Sequence, residues 1–277
     1  MDGRIHKVLA EHGIGSRREV ENWIREGRVK VNGVPAVIGQ RIGAADRIRV
    51  DGRDISRRLA GRQPLRVIVY HKPGGEILRQ RKGDDRTSVE ARLPGLRSGR
   101  WLPVNALGFT EDGLLILAND GSLATALSRC AHDLPVEYRV RVLRPRNTDV
   151  WPEIPQALDL DGKAVAFSAV EPIESGSINT WFRVAANRTL PRGAIAQLFD
   201  DAGLKTSRTM LVGWGPVSLP RDLPRGRHRE LEGKELDALL ALAGRRKDAA
   251  PTAGKKKAHR SQRDSKRRAT ARRNAGR

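Results

Sequence analysis

The spacing of apolar residues changes at Gly27, and that switch constrains the start of the chain more than any other feature. Ile5, Val8 and Leu9 recur at helical spacing and stop before Gly13 and Gly15, where a helix should end. Ser16-Arg17-Arg18-Glu19 then has the form of a capping box, in which the serine hydroxyl caps the third backbone N–H and Glu19 reaches back. Val20, Trp23 and Ile24 give this second helix its buried face, and Gly27 ends it. Beyond Gly27, Val29 and Val31 alternate into Asn32-Gly33, and Ile48 and Val50 alternate into Asp51-Gly52, both signals for tight hairpin turns. Two helices followed by short strands are therefore predicted over residues 1–56.

Residues 57–65, with Gly61 and Pro64, lose that periodicity and read as a linker. A second unit follows over residues 66–244. Strand-like runs recur at 66–70, 114–117, 138–142, 181–184 and 210–212, with helical patterns between them at 123–127 and 194–202. Leu236, Leu239, Leu240 and Leu242 mark a last amphipathic helix. Strands interspersed with helices imply an α+β domain around a mainly antiparallel sheet. From 245 to 277 the chain holds no aromatic residue and cannot bury enough apolar surface to order itself, so it reads as a disordered basic tail.

With 277 residues, 38% of them hydrophobic, the chain is large enough for one mid-sized core and a smaller one. Its 53 Lys+Arg against 32 Asp+Glu give a formal charge of +21, which points to a polyanionic partner. The tail alone carries 14 of those cations against Asp248 and Asp264. Cys130 is the only cysteine, and the six histidines are scattered, so neither an internal disulfide nor a metal site is expected. No apolar signal core opens the chain and no stretch is apolar enough to span a bilayer, so a cytoplasmic protein away from the membrane is expected.

The segments Arg4-Ile5-His6-Lys7-Val8-Leu9, Gly15-Ser16-Arg17-Arg18-Glu19-Val20-Glu21 and Gly27-Arg28-Val29-Lys30-Val31-Asn32-Gly33 resemble an S4 RNA-binding domain. Arg17 and Arg18 in the first turn of a helix, joined by Lys7, Arg28 and Lys30, place cations and free backbone N–H groups where phosphates can dock. A solvated basic face, partly offset by Glu19, Glu21 and Glu26, is the plainer reading of the same residues.

The second unit resembles the small S4-domain RNA pseudouridine synthases that act on 16S and 23S ribosomal RNA. Tyr70-His71-Lys72-Pro73-Gly74-Gly75-Glu76 is similar to the family's Lys-Pro-x-Gly segment, and Trp101 through Gly121 to its central motif. Glu137-Tyr138-Arg139-Val140-Arg141-Val142 is similar to the strand that bears a base-stacking tyrosine. Gly203-Leu204-Lys205-Thr206-Ser207-Arg208, Leu219-Pro220 and Leu223-Pro224-Arg225-Gly226 are similar to its C-terminal part. The resemblance implies a monomer that binds structured RNA, ribosomal RNA in the first place, with no metal, nucleotide or organic cofactor. In such enzymes one aspartate attacks or deprotonates a flipped nucleotide, the uracil is released, rotated and rejoined through carbon 5, and a tyrosine packs on the base. Tyr138 stands at the stacking position.

The aspartate does not. The family's frame reads Gly-Arg-Leu-Asp, two variable or polar residues, Ser/Thr, any residue, Gly-Leu, and Leu107-Gly108-Phe109-Thr110-Glu111-Asp112-Gly113-Leu114 places Gly108 at the nucleophile and Ala106 at the arginine. Gly108 has no side chain with which to act. The resemblance puts Ala196 at the basic residue that pairs with the aspartate, and Pro191 and Gly193 where further basic residues are usual. An arginine buried without its carboxylate costs several kcal/mol, so loss of both partners leaves a stable fold.

Two readings stay open: an RNA-binding protein whose catalysis is impaired or lost because of Gly108, and an active uridine-to-pseudouridine isomerase with a displaced acid such as Asp112. Glu111 and Asp112 follow Gly108 at roughly 10 Å of contour, which argues against either reaching the same point, and a polar turn closed by Gly113 is their plainer role. His71, His132 and His228 read as ordinary surface or loop histidines, Cys130 as a small buried hydrophobe, and Trp101, Trp181 and Trp214 as core. Arg225-Gly226-Arg227-His228-Arg229 is either a basic loop that touches RNA or a solvated turn.

Overall fold

The computed structural model describes residues 2–60, 64–80, 83–97, 99–143, 151–176 and 178–245. Residues 61–63 of the expected linker and the basic tail from 246 onward lie outside the described residues.

Helices Ile5–Glu11 and Arg17–Arg25 form where apolar spacing placed them, and the capping box is made in both directions. The Glu19 N–H donates to Ser16 Oγ at 3.2 Å, and the Ser16 N–H donates to Glu19 Oε2 at 2.6 Å. The strands Val34–Pro35, Val29–Val31, Ile48–Val50 and Arg53–Asp54 follow as an antiparallel sheet in that spatial order. Asn32 and Asp51 adopt φ of 52° and 50°, the left-handed conformation that tight hairpin turns require ahead of Gly33 and Gly52. Ile5, Leu9, Val20, Val29 and Ile48 are buried together as one core.

The expected linker is shorter than residues 57–65. Ser56–Ala60 is a helix, and Leu59, 2% exposed, joins Ile55 in the first core. Ile55 and Leu59 stand four apart, on one face of a helical turn, a pairing that the intervening polar residues obscure in the sequence.

The second unit is built on a nine-stranded sheet. Its main path runs Ala169–Ser175, Asn179–Ala186, Val136–Leu143, Thr206–Trp214, Asp112–Ala118, Val67–Lys72 and His228–Glu230. Every pairing in it is antiparallel except that between Thr206–Trp214 and Asp112–Ala118. The α+β expectation and each predicted strand run are met.

Alternation sets the two faces. Val67, Val69, Leu114, Ile116, Val140 and Val184 pack with Leu123 and Leu127 of helix Gly121–Cys130, Leu198 and Phe199 of helix Ala194–Asp201, and Leu239 and Leu240 of helix Gly233–Leu242. Ile68, Tyr70, Leu115 and Leu117 pack on the other side with Val89. Each such fully buried aliphatic side chain stabilises the fold by roughly 1.5–3 kcal/mol. No helix among the described residues is long and apolar enough to cross a membrane.

At the parallel pairing Met210 stands level with Asp112, and Leu211 with Gly113. Gly113 has φ of 117°, and a Cβ there would lie 2.1 Å from the Leu211 carbonyl oxygen. The two strands can approach at this point only because residue 113 has no side chain.

Candidate active site

The end of the Val67–Lys72 strand and the Pro73-Gly74-Gly75 turn hold the loop 108–111 in place. Lys72 is fully buried, and its Nζ donates to the carbonyl oxygens of Pro73 at 3.2 Å, Phe109 at 3.2 Å and Glu111 at 2.9 Å. Burial lowers the pKa of its ammonium, and the charges of Glu76, Asp112 and Glu111 oppose that shift. The Gly75 N–H donates to Phe109 O at 2.7 Å, and a Cβ on Gly74 would meet Thr110 O at 2.8 Å. The Lys-Pro-Gly-Gly run is thus a clamp for a loop more than thirty residues away in sequence. Beside it the Tyr70 hydroxyl donates to Glu76 Oε2 at 2.7 Å, and Arg92 Nε lies 3.1 Å from Glu76 Oε1.

Asp112 opens the next strand and is 4% exposed. Arg225 Nη2 donates to its Oδ2, Arg208 Nη2 stands 3.0 Å from the same oxygen, and His71 Nε2 lies 3.5 Å from Oδ1. Burial by itself would raise the pKa of this carboxyl. His71, Arg208 and Arg225 outweigh it and hold the pKa below the ordinary value of 3.8. Arg208 pairs across the sheet with Arg141, on the face opposite Tyr138, and both guanidinium carbons lie over the Trp181 ring, at 5.7 and 6.0 Å. Asp112 is therefore the buried hub of an ion cluster.

Gly108 and Glu111 meet directly. The Gly108 N–H donates to Glu111 Oε2, and a Cβ placed on Gly108 would stand 3.2 Å from that oxygen. The contour between the two residues suggested separation, but the loop turns back and closes it. Tyr138 is half-buried on the Val136–Leu143 strand, one strand removed from Asp112–Ala118 in the sheet, and burial together with the Glu111 charge pushes its pKa up to about 12. Ala196 lies on the exposed side of helix Ala194–Asp201, and Gly193 is the left-handed residue that starts it.

Of the first unit's cations, Arg17 and Arg18 are exposed at the start of the capped helix, with no ion pair among the described residues. Lys30 is exposed, and Lys7 lies 3.8 Å from Glu11. Arg28 is committed elsewhere: it grips Asp51 through two nitrogens at 2.7 Å, reaches Glu26 at 3.0 Å and lies over Trp23. Lys7 and Arg17 also line a groove of about 310 Å³ with Ser122, Thr125 and Arg129.

Several plainer readings are revised. His71 is neither a surface nor a free loop residue, since its Nδ1 contacts Leu223 O at 2.8 Å while Nε2 faces Asp112. In the 225–229 segment, Arg225 is tied to Asp112 and Arg229 to Glu235, at 2.6 Å. Trp214 is core, whereas Trp181 is half-buried against two guanidiniums. Cys130 is half-buried, its Sγ donating to Leu127 O at 3.2 Å. Almost nothing in the sequence signals the partnership of Arg208, Arg225 and His71, which come from three strands or loops. Their shared ligand, a lone aspartate at a strand start, is the only clue to it.

The S4 domain profile matches residues 3–48, and the RNA pseudouridylate synthase profile matches residues 66–213. The chain is 37% identical over 264 residues to the ribosomal large subunit pseudouridine synthase B of Pseudomonas aeruginosa, an alignment that covers 94% of this chain and 68% of that protein. The protein of the same name from Xanthomonas campestris pv. campestris is 35% identical over 246 residues, 87% of this chain and 50% of its own length. That from Salmonella typhi is 34% identical over 244 residues, 87% of this chain and 84% of its own length. A crystal structure of a pseudouridylate synthase aligns with TM-score 0.51 and 19% identity over 85% of this chain and 99% of that one, a likeness of fold.

Proposed function

Since the chain belongs to the RNA pseudouridylate synthase family and carries an S4 domain ahead of the synthase fold, we propose that it binds structured ribosomal RNA with the family's aspartate chemistry impaired. Relatives named for the large ribosomal subunit make its RNA the first to test. Arg17, Arg18 and Lys30, exposed along one helix start and the adjoining strand, are the cations in this reading that meet phosphates, with Lys7 beside them. Arg28 braces the hairpin through Asp51 and contributes less. A flipped nucleotide would rest on Tyr138.

The observation that carries the impaired reading is the state of Asp112. Gly108 offers no carboxylate, and the acid that the sequence proposed in its place is enclosed by Arg208, Arg225 and His71, with 4% of its surface open. A group so paired is a structural anion, and freeing it would leave two arginines without their partner.

Two measurements test this. Gel-shift titration of large-subunit RNA should show Arg17→Ala/Arg18→Ala losing about tenfold in affinity, as expected when cations that meet phosphates are removed; unchanged affinity would remove the S4 face from the reading. Pseudouridine mapping of cellular ribosomal RNA by chemical labelling and reverse transcription should give the same map for wild type and Asp112→Asn. A site lost only in Asp112→Asn would make Asp112 the working acid and overturn the assignment.

A further inference from the structure

The Glu111 side chain lies against position 108, where the carboxylate is missing. A Cβ on Gly108 would lie 3.2 Å from Glu111 Oε2, 3.4 Å from Cδ and 3.7 Å from Cγ, so the Glu111 carboxylate fills the volume just off the Gly108 backbone. An aspartate at 108 would place its own carboxylate one bond beyond that Cβ, in competition for the same space. The Gly108 N–H, which donates to Oε2, anchors one oxygen, and Oε1 has no partner among the described residues.

We propose that Glu111 is the catalytic carboxylate of this protein, acting from position 111 on a uridine held against Tyr138. The proposal rests on the proposed reading that this site receives an RNA nucleotide, and confines the impairment to the aspartate route. Three observations carry it beyond proximity. Lys72, entirely buried, spends its donors on Phe109 O, Glu111 O and Pro73 O, and so fixes the backbone on which Glu111 stands. The Gly74 and Gly75 backbone grips the same loop from the Phe109 and Thr110 side. Such rigidity suits a reacting group, which must be placed to within about an ångström, and a solvated turn has no need of it. Glu111 also acts electrostatically on Tyr138, whereas Asp112 is neutralised by two arginines.

The chemistry needs nothing else. A Glu111 carboxylate oxygen bonds to C1′ as the N1–C1′ bond of the uridine breaks and its electron pair leaves on the uracil. The freed uracil turns, and its C5 bonds to C1′ as the Glu111–C1′ bond breaks and returns its pair to the carboxylate. The proton lost from C5 is matched by one gained at N1, and the carboxylate ends ionised as it began, so the product is an isomer of the substrate.

The test uses ribosomal RNA isolated from cells lacking this gene, incubated with wild type, Glu111→Gln or Gly108→Asp/Glu111→Thr. New pseudouridine is mapped by chemical labelling, and binding is measured on the same RNA. Wild type should convert a defined uridine. Glu111→Gln should be slower by roughly 10⁴-fold or more, the scale of a lost member of a nucleophilic catalytic unit, with binding changed less than about twofold. The double variant, which moves the carboxylate back to residue 108, should recover turnover, and a merely structural role for Glu111 would not produce that rescue. Equal turnover in wild type and Glu111→Gln overturns the proposal, as does tight binding by wild type with no turnover, which leaves RNA recognition standing. Failure of wild type to bind the RNA at all overturns both.

Discussion

Glu111 and Asp112 are adjacent in sequence, yet the structure gives them different chemistry. Contour length set both of them apart from Gly108, but a turn brings the Glu111 carboxylate back over that glycine while Asp112 is drawn to Arg208 and Arg225. Asp112→Ala should destabilise the fold by about 2 kcal/mol, below the range for a fully buried broken pair because Arg225 is nearly half exposed. Urea melts at neutral pH would measure it. The folded-state pKa of Asp112 lies below 3.8, so its contribution is fully present above that value and is lost as pH falls through the folded pKa. Wild type should therefore lose stability more steeply than Asp112→Ala on acidification below about pH 4. Parallel acid limbs for the two proteins would mean that the ion cluster contributes nothing.

At the scale of elements, most of the fold is written in spacing. The capping box at Ser16 and Glu19 was legible because both partners lie within one turn, and the hairpins at Asn32-Gly33 and Asp51-Gly52 because their conformations demand those residues. Ser56–Ala60 was missed because a five-residue helix shows too little periodicity to be seen among arginines. The parallel crossing of Asp112–Ala118 with Thr206–Trp214 was missed because it joins segments far apart in the chain, and its only local trace is Gly113. Gly113→Ala should cost at least about 3 kcal/mol, since a left-handed φ and a close approach to Leu211 O both oppose a side chain. A denaturation midpoint within error of wild type would show that the crossing can relax.

At the scale of the molecule, the proposed RNA recognition would draw on both charge and shape. The formal +21 is shared between the S4 and synthase units and a C-terminal stretch dense in Lys and Arg. Removing residues 246–277 should weaken binding to all RNAs alike and flatten the dependence of log affinity on log salt, by roughly 0.7–0.9 for each phosphate that the tail no longer neutralises. Filter binding across a salt series would measure both. If truncation instead abolished preference for one RNA while Arg17→Ala/Arg18→Ala did not, selectivity would lie in the tail.

The sequence by itself determined the family, the order of the two folds, most strands and helices, and the absence of an aspartate at position 108. Those properties are local: periodicity, caps, turns and a motif frame are read within a dozen residues. Only the tertiary structure decided where the remaining carboxylates lie. The direction of a side chain at a strand start depends on what the neighbouring strands present. Here Arg208 and Arg225 claim Asp112, while Lys72 and the Gly74-Gly75 turn set Glu111 over the gap at Gly108.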